Sequence, residues 1–286
     1  MSLTKWRRVL KFQTEVHDLR AKLSQPDAET LRPPLKWAGG KRWLLPHVEP
    51  LWRAHQGRRY VEPFCGGLAM ALGLKPQIAL LNDINPHLIN FYRQLQRGLP
   101  VNIEMRNAEP LFYAHRERFN QLVREHKSET AEAAQLFYYL NRTGFNGLCR
   151  FNRSGEFNVP FGRHETINYV HDFGNYCDLL CRWSFGNCDL ESLPVETGDF
   201  VYADPPYDVE FTSYSAGGFS WDDQVRTAEW LAKHPGPVVL SNQATTRIVE
   251  LYERLGFVLQ YLDAPRRISR TGDRTAAREV LAVKVI

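Results

Sequence analysis

The chain lacks any uninterrupted apolar run of the roughly 18 residues that a helix needs to cross a bilayer, so no membrane span is expected. Its first residues, MSLTKWRRVLKF, hold no long apolar core and no small-residue cleavage site, so no secretory leader is expected. Cysteine is scarce and odd in number, five, in a chain too long to need staples. Cys177, Cys181 and Cys188 cluster, but no pair has CxxC spacing and no His stands at zinc-finger distance. All five are expected as reduced thiols of a cytoplasmic protein without a metal centre. Repeats and low-complexity tracts are missing too. Net charge of one sign is nearly absent: 36 Lys+Arg against 32 Asp+Glu give +4, which neither demands a nucleic-acid partner nor excludes one.

What is present is an ordinary globular composition. With 43% hydrophobic and 24% charged residues in 286, the chain can bury one large domain or two smaller ones. The small net charge conceals a split. Residues 1–42 carry ten Lys/Arg against four Asp/Glu, residues 141–163 four against one, and residues 264–278 five against one. These segments together are +13, so the rest must be −9 to leave +4. Brought to one face by the fold, they would form a footprint for a polyanion.

Residues 4–24 read as a basic helix, with Val9, Phe12, Val16, Leu19 and Leu23 at three- and four-residue steps, ended at Ser24-Gln25-Pro26. Packing on the main body is favoured over a DNA- or partner-binding arm. After Pro33-Pro34 an α/β pattern begins. Arg59–Phe64 is a strand, Cys65-Gly66-Gly67 a turn, Leu68–Leu74 a helix and Ile78–Leu81 a second strand ending at Asn82-Asp83. Pro86 opens a helix to about Arg97, and Gly98 stops it. This is the βαβ unit of a parallel sheet. Residues 100–143 read as mostly helical, and 145–163 as a β-hairpin turning at Asn152-Arg153-Ser154-Gly155. Strands resume at Phe200–Ala203, Pro237–Leu240, Phe257–Leu262 and Glu279–Val285. The sheet is therefore split in sequence by a mainly helical insert.

Two segments carry chemistry. In Glu62-Pro63-Phe64-Cys65-Gly66-Gly67, glycines after a strand let backbone approach a ligand, and Asp83 at the next strand end can bond a ribose hydroxyl pair. NAD enzymes and S-adenosylmethionine enzymes share this pattern, but the GG spacing departs from G-x-G-x-x-G. Asp83 also fits a helix cap before Pro86, and the glycines a plain turn. The second segment is Asp204-Pro205-Pro206-Tyr207 after the apolar strand Phe200–Ala203. Its prolines stiffen the turn and leave carbonyls free to accept. A carboxylate with a free carbonyl is an acceptor pair for an amino group, and Tyr207 offers a flat face. The plainer alternative is an Asp cap in a Pro-rich turn.

In order along the chain stand LKWAGGKRWLLP (35–46), VEPFCGG (61–67), NDIN (82–85), LNRTGFNGLCRFNRSGEFNVPFGR (140–163), DPPY (204–207), FTSY (211–214) and LSN (240–242). The ordered set, covering Leu35 onward, resembles the Dam-type DNA adenine N6-methyltransferases of the alpha class. The resemblance implies a Rossmann-like S-adenosylmethionine-dependent methyltransferase sheet with an inserted target-recognition domain containing the hairpin. The expected divisions are a basic extension at 1–32, cofactor motifs at 33–98, target recognition at 99–184 and a second catalytic part at 185–286.

The resemblance further implies that Lys36, Trp37, Ala38, Gly39, Gly40 and Lys41 lie against S-adenosylmethionine, with Phe64, Cys65 and Gly66 in its loop. Asp83 would bind the ribose, Ile84 and Asp189 would contact the adenine, and Asp204 would border the donor as well as the target. Asp204, Pro205, Pro206 and Tyr207 form the catalytic tetrapeptide, with no metal required. Phe145, Asn146, Leu148, Arg150, Asn152, Pro160 and Arg163 are implied as contacts to double-stranded DNA, reading GATC. Arg150 and Arg163 equally suit phosphate, which positions without specifying. Phe145 replaces a Tyr of close bacterial relatives, and His164-Glu165 replace an aromatic and a Lys. The same chemistry on RNA or protein, a module that only binds DNA, and a dinucleotide oxidoreductase are the competing readings; the last leaves DPPY and the hairpin unexplained. A cognate restriction enzyme, not stably contacted, and a nucleoid location fit the main one.

Overall fold

A computed structural model describes residues 31–208, 218–264 and 277–284. The expected helix at 4–24 and the FTSY segment lie outside these residues, as does most of the basic stretch 264–278.

Pro46 near its first turn and apolar Val48, Leu51 and Trp52 on its buried face define α1 (Leu45–Arg53). Then follow β1 (Tyr60–Glu62), α2 (Ala69–Leu74), β2 (Ala79–Asn82) and α3 (Pro86–Gln96). The insert supplies α4 (Glu109–Arg124), α5 (Ala131–Thr143) and α6 (Gly174–Leu180). The chain then returns through β3 (Trp183–Gly186), β4 (Phe200–Ala203), α7 (Trp221–Lys233), β5 (Val238–Gln243), α8 (Thr246–Arg254), β6 (Val258–Ala264) and β7 (Ala277–Lys284).

The seven strands form one sheet in the order β3-β2-β1-β4-β5-β7-β6. The first five are parallel, and β7 is wedged antiparallel between β5 and β6. β1, β2 and β4 are buried at every position, as strands covered on both faces must be. Neighbouring residues serve opposite faces: Tyr60, Leu81, Phe200 and Tyr202 join one apolar cluster, Val61, Leu80, Val201 and Ala203 the other. This is the Rossmann-like methyltransferase sheet that the sequence led us to expect. The chain runs outward from β1 to β3 and returns at β4, so the strand order reverses between β1 and β4. Ligands of such sheets bind outside the carboxyl ends of the strands at that reversal.

The insert between β2 and β3 packs α5 and the hairpin on α3 through aromatic rings. Phe91 stacks on Tyr138 at 5.6 Å, and His87 stacks on Phe151 at 4.7 Å. Asn85, not Asp83, caps α3, accepting from the His87 and Leu88 amides at 3.0 and 3.3 Å. Between Gly98 and α4 the chain is not helical, so the helical reading of 100–143 holds only for α4 and α5. β3 was not legible as a strand and starts two residues before the expected division at 185. The expected hairpin takes the form of two isolated antiparallel bridges, Gly144 with Phe161 and Phe151 with Phe157. A longer ladder is broken by the left-handed residues Asn146 (φ 52°) and Gly147 (φ 63°) and by Pro160, which has no N–H to give.

Candidate active site

The turn after β1 is built on Trp37. A Cβ on Gly66 would stand 2.7 Å from the Trp37 indole Nε1, and one on Gly67 2.7 Å from its Cβ, so the indole lies directly on the glycines. Gly66 also takes a left-handed φ of 43°, which a side chain would strain. Its N–H donates to Asp83 Oδ2 at 3.1 Å, and its carbonyl accepts from Tyr92 Oη at 2.6 Å. Asp83 Oδ1 accepts from the Asn85 amide at 2.9 Å. Burial raises the Asp83 carboxyl to about 6 against those two amides. Asn82, given no role by sequence, ties three strand ends together: its Nδ2 donates to the Pro63 and Cys188 carbonyls, each at 3.0 Å, and its Oδ1 accepts from the Cys188 amide at 3.1 Å.

Beyond Asp83, Ile84 is 63% exposed, a large apolar side chain on the surface. Phe64 meets Phe219 edge-on at 5.8 Å, a neighbour that no motif pointed to. Asp189 is gripped by Arg226 of α7, which donates to both carboxylate oxygens at 2.7 and 3.0 Å. Ala38, Gly39 and Gly40 are exposed, and Cys65 is buried.

Lys36 and Lys41, expected side by side, diverge. The Lys36 ammonium donates to the Arg142 carbonyl at 2.9 Å and stands 3.3 Å from His164 Nε2, under the hairpin and away from Asp83. Its backbone pairs with Asn141 of α5 in both directions, each bond 2.8 Å. Lys41 is buried beside the DPPY turn. Its Nζ lies 3.2 Å from both oxygens of Glu279, 3.9 Å from Asp204 Oδ1 and 3.9 Å from the centre of the Tyr207 ring.

Asp204 follows β4 at the strand reversal. Ser241 of β5 donates to its Oδ1 at 2.8 Å, and Tyr202 Oη lies 3.0 Å from that hydroxyl. Burial raises the Asp204 carboxyl to about 6, opposed by Lys41 and Ser241 and supported by Glu279. The Pro206 carbonyl is taken by Gln224 Nε2 at 2.7 Å. Asp208, just beyond Tyr207, accepts from Arg247 and from Thr245 Oγ1, which pins the far side of the turn. Glu279, Gln224, Asp208 and Arg247 escaped the sequence reading because their role exists only through tertiary contact. Ser241 was visible within LSN.

On the insert, Phe145 is 47% exposed, on the surface and not in the core. Asn146, Arg150, Pro160 and Arg163 are exposed with it, and Leu148 is half-buried. Arg150 Nε donates to Asn158 Oδ1 at 2.8 Å, which orients the guanidinium. The Asn152 amide is spent inside its own turn: Oδ1 accepts from the Ser154 and Glu156 amides, and Nδ2 donates to Glu156. Arg163 Nη2 stands 3.8 Å from Glu109.

The chain is similar to known proteins over most of its length. It is 34% identical over 265 residues to the Retron Ec67 DNA adenine methylase of Escherichia coli, covering 87% of this chain and 90% of that one. It is 35% identical over 266 residues to the Type II methyltransferase M1.LlaDCHI of Lactococcus lactis subsp. cremoris, covering 85% and 92%. It is 35% identical over 275 residues to the DNA adenine methylase of Vibrio cholerae, covering 87% and 94%. Among solved structures, the tRNA (m1A58) methyltransferase TrmI from Aquifex aeolicus covers 95% of this chain and 76% of its own at 10% identity and a TM-score of 0.37, too distant to carry any argument. Residues 37–268 match the model of the D12 class N6 adenine-specific DNA methyltransferases, and the chain belongs to that family.

Proposed function

We propose that this DNA adenine methyltransferase uses S-adenosylmethionine to methylate N6 of an adenine rotated out of duplex DNA, within GATC. The observation that carries the reading is the meeting at one strand reversal of the Trp37-covered glycine turn, Asp83 and the half-buried Asp204. The donor pocket fits these residues: Gly66 and Gly67 let Trp37 pack directly on the turn as a wall, Asp83 retains acceptor capacity for a ribose, and exposed Ile84 faces outward for an adenine. Phe64 and Asp189 border it, with Trp37 and Ala38 to Lys41 along its near edge. When bound, S-adenosylmethionine supplies an electrophilic methyl group on a cationic sulfur.

The chain's own groups act on the target base. At neutral pH Asp204, raised only to about 6, remains mainly ionised and accepts a hydrogen bond from the N6 amino group. The Pro205 carbonyl accepts the second. Two acceptors draw the nitrogen toward a pyramidal shape and free its lone pair for the methyl group. Tyr207 stacks on the ring, and Pro206, tied to Gln224, keeps the turn rigid. Fixed dipoles of this kind are worth on the order of 10² to 10³ in rate each.

Recognition falls to the insert. Arg150, oriented by Asn158, suits guanine O6 and N7, Leu148 and Pro160 suit a thymine methyl, Asn146 suits the unpaired partner, and Phe145 wedges into the vacated stack. Asn152 contributes by shaping the turn, and Arg163 by meeting phosphate. The test is transfer of a tritiated methyl group to duplexes with and without GATC. Label confined to GATC duplexes and lost in Asp204→Ala supports the reading; label on RNA, or on duplexes lacking GATC, overturns it.

A further inference from the structure

Lys41, buried, and Asp204, half-buried, are oppositely charged and close, yet they do not hydrogen-bond. Lys41 Nζ stops 3.9 Å from Asp204 Oδ1. An ammonium free to move closes on a carboxylate to about 2.8 Å. Here it is drawn aside by Glu279, with Nζ 3.2 Å from each oxygen, and the Tyr207 ring covers it at 3.9 Å. Glu279 reaches this place because β7 lies antiparallel on β5, pairing Glu279 with Gln243, two residues past Ser241. Among the described residues Lys41 is the one cation within 4 Å of Asp204.

A direct Lys41–Asp204 bond would keep the carboxylate charged, but it would fill the edge that must accept from the substrate. We propose that Glu279 is a positioning residue: it holds the Lys41 ammonium off Asp204, so that Asp204 stays ionised beside a positive charge while its acceptor edge remains open to the adenine amino group. This rests on the reading of Asp204 as the acceptor for N6. The other groups facing Asp204 cannot substitute for the pair. Glu62 of β1 is raised to about 8 by burial and by Asp204 itself, and takes a hydrogen bond from Tyr60. Tyr202 of β4 and Tyr252 of α8 are held neutral by burial. Ser241 of β5 donates to Oδ1, and the Tyr207 ring covers Lys41.

The experiment is the pH profile of kcat on duplex DNA at saturating S-adenosylmethionine, with cofactor affinity measured by calorimetry. Lys41→Met removes the cation that favours the charged form, so the acid limb moves up by about one unit. Glu279→Gln removes an anion and releases Lys41 onto Asp204, so the limb moves down and the plateau falls roughly tenfold, with cofactor affinity within about twofold. Glu279→Asp keeps the charge and returns the limb toward its original place. Limbs that move in the same direction, or stay fixed while both rates fall, overturn the proposal. If Glu279→Gln does not fold, the double variant Lys41→Met/Glu279→Gln carries the test: its plateau should match that of Lys41→Met, since Glu279 acts through Lys41. A plateau roughly tenfold lower places the action of Glu279 elsewhere and overturns it. Asp204→Asn separates the two readings. Substantial residual methylation fails the acceptor role of Asp204 itself, whereas lost methylation with limbs that do not diverge fails Glu279 alone.

Discussion

At the carboxyl edge of the sheet, Glu62, Glu279 and Lys41 are buried beside half-buried Asp204, whereas the insert buries rings and leaves its charges outside. Within the insert the core is Phe112, Phe119, Phe137, Tyr138 and Phe157, packed on Phe91 of α3, and its ion pairs, such as Arg118 with Glu132 and Arg124 with Glu156, are exposed or half-buried. The polar groups it does bury are closed on backbone: Asn120 accepts from the Phe157 amide at 2.7 Å and donates to its carbonyl at 3.2 Å. Under the proposed function the contrast follows from the tasks. Polarising an amino group needs fixed charges out of water, where each is worth more. Reading base edges needs exposed side chains, and an apolar core holds them still without competing for the same partners.

The sheet edge and the seam where α3 meets the insert should answer pH with opposite signs, and this is the largest effect expected. Glu62 ionises near 4.5 in the unfolded chain but near 8 when folded. The unfolded state therefore binds fewer protons between these values, and stability is lost as pH rises through them, on the order of 5 kcal/mol in the limit. Isosteric Glu62→Gln should remove this slope, gaining stability at pH 8 and little at pH 4.5 in denaturant titrations. His87 behaves inversely. Burial lowers it from 6.5 to about 4, so its contribution is complete above 6.5 and is lost as pH falls toward 4, by about 3 kcal/mol. Chemical denaturation from pH 4 to 7 with His87→Phe should flatten that side. Slopes of one sign in both regions would break the comparison.

Next in size is the joint between the regions. Asn141 is fully buried and bonds the Lys36 backbone twice. Asn141→Ala strands two backbone groups and should cost about 2 kcal/mol in urea titrations. Smaller still is the effect at the reading surface. Arg150→Ala should lose about 1–2 kcal/mol of discrimination at one base pair, measured as kcat/KM on single-substitution duplexes, with fold stability unchanged. Arg124→Ala, on the insert's outer face, should leave the melting temperature where it is.

Much of the sheet was legible because its central strands are short apolar runs stopped by turn residues. β3 was not, since Trp183-Ser184-Phe185-Gly186 is no apolar run, being buried only at Trp183, and it pairs with β2 after a long excursion. Of the site, Gly66, Asp83, Asp204 and Tyr207 announce themselves by composition at strand ends. Glu279 does not: it reads as the start of an ordinary strand, and its partner Lys41 is 238 residues away. Lys36 and Lys41 illustrate the opposite case. Neighbours in one motif, they are sent to different regions by the fold. The arginine of a reading hairpin is visible in sequence, but that Asn152 is consumed by its own turn is not.

The wedge position of β7 also has a meaning in time. A contact spanning 238 residues forms only after the rest of the chain has found its place, because so large a loop must close first. A molecule cut between β6 and β7 would keep the five parallel strands, with one side of β5 bare and Lys41 lacking its counter-charge. Completion of the sheet and arming of the active site are therefore a single folding event.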